Sequence, residues 1–165
     1  MVMRKFLLLL FILPFALLSA SAETYTAAGF ALDAPAGWTK GDSTAAPLVL
    51  YAPNPMKDFR PNINVLIQET GKLNNQQYYE MSKQQAAKMN GKISGYSDFN
   101  FNNKLVGKSL RLDFTTGGRN LSCLSVWYQK NGKTYLITST TTPDDFAARL
   151  SSFQQVSRTF RFTGR

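Results

Sequence analysis

The stretch FALDAPAGW, residues 30–38, sets a strand-like alternation, Phe30 and Leu32, directly against a turn and a large aromatic. Pro35 presets φ and Gly37 admits a backbone angle closed to most residues, so Pro35-Ala36-Gly37 reads as a turn. Trp38 follows with no spacer. A ring of that size is best used if the turn folds it back over the edge of a core. Residues 24–34 then read as one or two short strands around Gly29.

Outward from this corner, the chain alternates between strand and turn signals. Residues 48–52 form a short apolar run, and Pro53, Pro55 and Pro61 make the next segment a loop. Ile63, Val65 and Ile67 alternate with Asn64, Leu66 and Gln68, the period-2 pattern of a strand with one apolar face. Residues 106–114 place Leu110, Leu112 and Phe114 on one face. Thr116-Gly117-Gly118 turns the chain. Residues 121–129 and 134–141 flank Asn131-Gly132, the dipeptide of a type I′ hairpin. That turn pairs Lys130 with Lys133, Tyr128 with Tyr135 and Val126 with Ile137.

Two helices interrupt the strands. Asn75 is placed to cap a helix running to about Met89, with Tyr78, Met81, Ser82, Gln85, Ala86 and Met89 on one face. Gln77, Glu80, Gln84 and Lys88 face away, and Asn90-Gly91 stops it. Thr142-Pro143-Asp144-Asp145 opens the second. Proline suits the first helical position and the two acids suit the positive end of the dipole. Phe146, Leu150 and Phe153 form its buried stripe. The middle strands carry apolar residues on both faces, Leu124 and Val126 on one, Leu121, Cys123 and Trp127 on the other. Such a sheet needs a cover on each side. The expected fold class is α+β, a mostly antiparallel sheet flanked by helices in an α/β/α sandwich.

Residues 1–22 have the form of a secretory signal peptide: a basic start at Arg4-Lys5, an apolar run interrupted by Pro14, and Ala20-Ser21-Ala22 at the cleavage point. The expected organisation is this leader followed by a single domain over residues 23–165, released to the periplasm or exterior after Ala22. One cysteine, Cys123, allows no internal disulfide, so packing must hold the fold. Its strand context makes it a small buried thiol, with pairing between chains as the alternative.

These features together resemble a known superfamily. They are F-x-L-x-x-P-x-G-W at Phe30 to Trp38, NINV at residues 62–65, the YYEMS helix, and a long meander ending in a helix with Phe146, Phe153 and Thr159-Phe160. The pattern is similar to the PsbP-like fold of photosystem II PsbP subunits, Ran-binding Mog proteins and DcrB-type bacterial envelope proteins. Eag-type secretion chaperones share the fold but act in the cytoplasm, a role at odds with a signal peptide. What the resemblance implies is a binding or accessory domain, with no shared catalytic motif to carry over.

Chemistry is sparse. The chain has no histidine, which removes every mechanism that needs imidazole. Neither G-x-S-x-G nor S-x-x-K occurs. The only adjacent acids, Asp144 and Asp145, are explained by the helix start. The loop carrying Asp58, Asn62 and Asn64 lacks the acidic run and glycine of a calcium loop. No cofactor or metal is expected, and the chain is read as a non-enzyme.

What remains is charge and aromatics. The formal net charge is +9. Lys104, Lys108, Arg111, Arg119, Lys130 and Lys133 lie on the meander, and Arg149, Arg158, Arg161 and Arg165 follow toward the C-terminus. Most such residues simply solvate a surface. The functional reading is attraction to an envelope protein, an anionic membrane surface or a glycolipid, while nucleic acid is not expected outside the cytoplasm. Tyr51, Tyr78, Met81, Lys130 and Lys133 are the candidate ligand or partner residues. The first two are the aromatics placed to reach a groove. The reading is therefore an exported, non-enzymatic accessory or interaction domain of the bacterial cell envelope. The alternative is a binding protein for a lipid or other amphiphile, held between helix and sheet by Tyr78, Met81 and meander aromatics. A carboxylate-based hydrolase is a third reading.

Overall fold

The computed structural model describes residues 22–164. The expected signal peptide falls, apart from Ala22, outside the described residues. In chain order the elements are β1 (Thr24–Ala27), β2 (Phe30–Asp33), β3 (Thr39–Lys40), β4 (Leu48–Tyr51), β5 (Asn62–Glu69), α1 (Asn75–Lys88), β6 (Lys92–Asn100), β7 (Val106–Thr116), β8 (Arg119–Lys130), β9 (Lys133–Thr141), α2 (Pro143–Arg158) and β10 (Arg161–Phe162). Among the described residues no helix is long and apolar enough to cross a membrane.

A seven-stranded antiparallel sheet runs β3-β4-β5-β9-β8-β7-β6. The Asn131-Gly132 hairpin has the expected register, with Lys130 opposite Lys133, Tyr128 opposite Tyr135 and Val126 opposite Ile137. Both turn residues have positive φ, 52° and 74°, as a type I′ turn requires.

The period-2 alternation of β8 divides the core. Leu124 and Val126 point to one side, where Phe146, Phe153 and Val156 of α2 pack on them. Trp127 points to the other, where it meets Tyr78 of α1 and Leu110. The sandwich is thus α/β/α, and all of residues 121–127 are buried. Cys123 is among them and is a free thiol.

The first strands do not join this sheet. β1, β2 and β10 form a separate three-stranded sheet, whereas the sequence reading placed them in one. The reason is local. Phe30, Ala31 and Leu32 are all buried, so β2 has no solvent face. It lies over the α2 side of the large sheet, with Phe30 stacked on Phe160 at 5.5 Å. The Pro35–Gly37 turn carries the chain from the small sheet to the edge of the large one. Gly37 has φ +77°, and the Trp38 amide donates to the Pro35 carbonyl at 3.1 Å. Trp38 then packs edge-on against Phe153 at 6.4 Å. The corner and plug are as expected, and they join two layers.

α1 is capped by Asn74, one residue before the expected Asn75. The Asn74 side chain accepts from the Gln77 amide, and the Gln77 side chain accepts from the Asn74 amide, both at 2.9 Å. This reciprocal pair is a capping box. Asn75 is instead the first helical residue. α2 begins as expected at Pro143, but the Thr142 side chain makes no capping bond. The first turn carries Asp144 and Asp145, whose charge suits the positive end of the helix dipole.

Candidate functional site

α1 is anchored at its N-terminal half and stands away from the sheet at its C-terminal half. The anchor is Trp127, fully buried. Its indole N–H donates to Asn75 Oδ1 at 3.0 Å, and its ring meets Tyr78 at 5.2 Å. Tyr78 Oη donates to Gln68 Oε1 at 2.6 Å, tying the helix across to β5. Burial pushes the Tyr78 phenol up to about 12. On the outer flank Tyr96 stacks on Tyr79 at 4.0 Å and lies nearly parallel to Trp127 at 6.0 Å.

Beyond this anchor a cavity of about 280 Å³ opens between α1 and the sheet. Three adjacent strands supply its floor, and the period-2 rule makes each contribute alternate residues: Leu110, Leu112 and Phe114 from β7, Cys123, Ser125 and Trp127 from β8, Leu136, Thr138 and Thr140 from β9. Ser82, Gln85, Ala86 and Met89 of α1 form the roof, and Ile93 closes one side. The space exists because Ala86, Ser125, Thr138 and Thr140 stand where larger apolar residues would fill it. The lining holds no charged side chain. It is a mainly apolar chamber with a row of hydroxyls along β8 and β9, at the small end of ligand pockets.

Cys123 sits on the floor. Burial pushes its thiol up to about 11, and its sulfur lies 3.6 Å from Ser125 Oγ. A thiol so held is neither nucleophilic at neutral pH nor positioned to pair between chains.

Of the five candidate residues, Tyr78 lines the cavity, and Met81 packs against the Tyr78–Trp127 cluster without lining it. The other three lie elsewhere. Tyr51 on β4 is half-buried, with the Arg60 guanidinium 5.4 Å from its ring. Lys130 lies over the Phe162 ring at 4.1 Å, and Lys133 pairs with Glu69 at 3.1 Å. The hydroxyls of Ser125, Thr138 and Thr140 were not singled out from sequence. Their signal is polar residues at alternate positions of otherwise apolar strands.

The acids are dispersed and engaged. Eight of the ten hold a basic partner: Asp33, Asp58, Glu69, Glu80, Asp98, Asp113, Asp144 and Asp145. Asp58 and Asp144 line a second, polar hollow. Each is bound to a cation at 2.7 Å, Asp58 to Arg119 and Asp144 to Lys57. Those bonds hold both carboxyls below their usual range, the opposite of what a general acid requires. Among the described residues no group of three or more Cys, Asp or Glu side chains converges to hold a metal.

Solved structures reproduce this arrangement of layers. The cyanobacterial PsbP protein of Synechocystis, CyanoP, superposes with a TM-score of 0.63 at 17% identity, covering 87% of this chain and 93% of its own. The fold is PsbP-like. PA94 of Pseudomonas aeruginosa matches with a TM-score of 0.61 at 18% identity over 87% of this chain and 97% of its own. LpqN, a protein of Mycobacterium tuberculosis involved in cell envelope biogenesis, matches at 0.58 and 14% over 82% and 83%. No protein-family model and no curated protein sequence matches the chain. At such identities a shared PsbP-like fold carries architecture and not activity.

Proposed function

We propose that this PsbP-like protein is an exported accessory domain of the cell envelope that acts by binding, and that its ligand is a small amphiphile seated between α1 and the sheet. The observation that carries this reading is the chamber itself: about 280 Å³, apolar floor, hydroxyl row, no charge. An acyl or ring segment would cover Leu110, Leu112 and Phe114, while Thr138, Thr140 and Ser125 would take its polar end. LpqN, a protein of cell envelope biogenesis with the same fold, supports the envelope setting, as does the leader-like N-terminus. The paired, low-pKa carboxyls favour binding over turnover.

Titration with the apolar fluorophore N-phenyl-1-naphthylamine tests the reading. The wild type is expected to enhance its emission saturably. Thr138→Phe, which fills the chamber from β9, abolishes the enhancement, and Ser125→Leu does the same from β8. Unchanged binding in both filled variants would place any site elsewhere. Turnover of an ester, glycoside or phosphoester, lost on one polar substitution, would overturn the non-enzymatic reading.

A further inference from the structure

The sheet pairing brings one set of turns to one end of the molecule. β6 closes into β7 with Asn100 opposite Val106, and the start of β7 lies beside the end of β8, Lys108 opposite Trp127. The β8–β9 hairpin is at this same end, and Gly71 donates to Gly132 there at 2.8 Å. The end of α2 joins them, its Arg158 carbonyl accepting from the Asn102 amide at 2.9 Å.

Four exposed cations stand on these segments: Lys72, Lys104, Lys130 and Arg158. None forms an ion pair among the described residues, and the adjacent carboxylates are already occupied, Glu69 by Lys133 and Asp98 by Lys108. At the opposite end Asp58, Asp113 and Asp144 are interleaved with Arg119, Arg111 and Lys57. Four of the eight described cations without an ion pair thus share one end, whereas Lys88 and Lys92 are the unpaired cations beside the mixed charges of the other.

That end also presents an apolar tip. Val106 is 55% exposed, the largest exposure of any large apolar residue described. The turn before it is closed by backbone and side-chain bonds. Lys104 has φ +65°, the Phe101 amide donates to the Leu105 carbonyl at 3.0 Å, and Asn103 Nδ2 donates to the Phe160 carbonyl at 3.3 Å. Lys130 lies over the half-buried Phe162 ring at 4.1 Å. An aliphatic tip at the end that carries four unpaired cations matches an interface where head groups are negative and the layer below is apolar.

We propose that this end docks the protein on an anionic lipid bilayer, with Val106 entering the head-group region and Lys72, Lys104, Lys130 and Arg158 facing lipid phosphates. The surface is distinct from the chamber under α1, and neither depends on the other.

Flotation with phosphatidylcholine vesicles, with and without phosphatidylglycerol, tests it on protein released from the envelope. Binding is expected only with phosphatidylglycerol and should weaken with salt. Lys104→Gln and Lys130→Gln should each weaken it about fivefold, and together by more than tenfold. Val106→Asp should weaken it further, whereas Lys88→Gln with Lys92→Gln at the opposite end should leave it unchanged. Equal binding to both vesicles, no binding to either, or equal loss in the opposite-end variant would overturn the assignment.

Discussion

Gly107 sits where a side chain has no room. A Cβ there would lie 2.1 Å from the Trp127 carbonyl oxygen and 2.9 Å from Phe101. Backbone cannot yield as a flexible side chain can, so Gly107→Ala is expected to destabilise by about 3 kcal/mol. A chemical denaturation midpoint within error of the wild type would show that β7 and β8 are less closely apposed. Tyr78 makes a prediction with a sign. Its folded pKa is raised by burial from 10.0 to about 12, so the fold favours the neutral phenol. The stabilisation is intact below pH 10 and is lost as pH rises through 12. Tyr78 is almost fully buried, so the loss should reach about 3 kcal/mol. Tyr78→Phe should remove that pH dependence, read as the urea midpoint against pH. An equally steep fall in the variant would mean that the phenol ionises freely in the folded state.

At the scale of elements, α1 separates two roles that adjacent asparagines play. Asn74 caps; Asn75 holds the Trp127 indole. Losing a cap costs about 1 kcal/mol, while leaving a buried indole N–H unpaired costs about 1–3 kcal/mol. Asn75→Ala should therefore be at least as destabilising as Asn74→Ala in thermal or urea unfolding, although Asn75 is not the cap. A neutral Asn75→Ala would break the anchor argument. Sequence pattern alone could not separate the two, since both are good caps and the deciding partner, Trp127, lies more than fifty residues away. The hairpin was readable in full because its register is set by two turn residues and their neighbours. The separate N-terminal sheet was not. Its pairing of β2 with β10 joins opposite ends of the chain, and nothing in either short strand names the other.

Over the whole molecule, the layering was legible because β8 carries apolar residues on both faces, which demands two covers. The chamber was legible only in outline. Tyr78 and the alternating apolar residues of the meander pointed to the interface of helix and sheet. The emptiness there depends on where α1 leaves the surface, a consequence of packing and not of any local signal. Tyr51 and the hairpin lysines were singled out on residue type, and topology carries them away from the chamber. The same topology brings Lys72, Lys104, Lys130 and Arg158 to the end that carries Val106, so the chamber and this basic, apolar-tipped end are separate features.

Native mass spectrometry of the protein, produced with its N-terminal leader and purified without detergent, tests the central claim most directly. The account predicts one added mass of an amphiphile per chain in the wild type, and its absence in Thr138→Phe. Bare chains in both, with the fold intact, would contradict it.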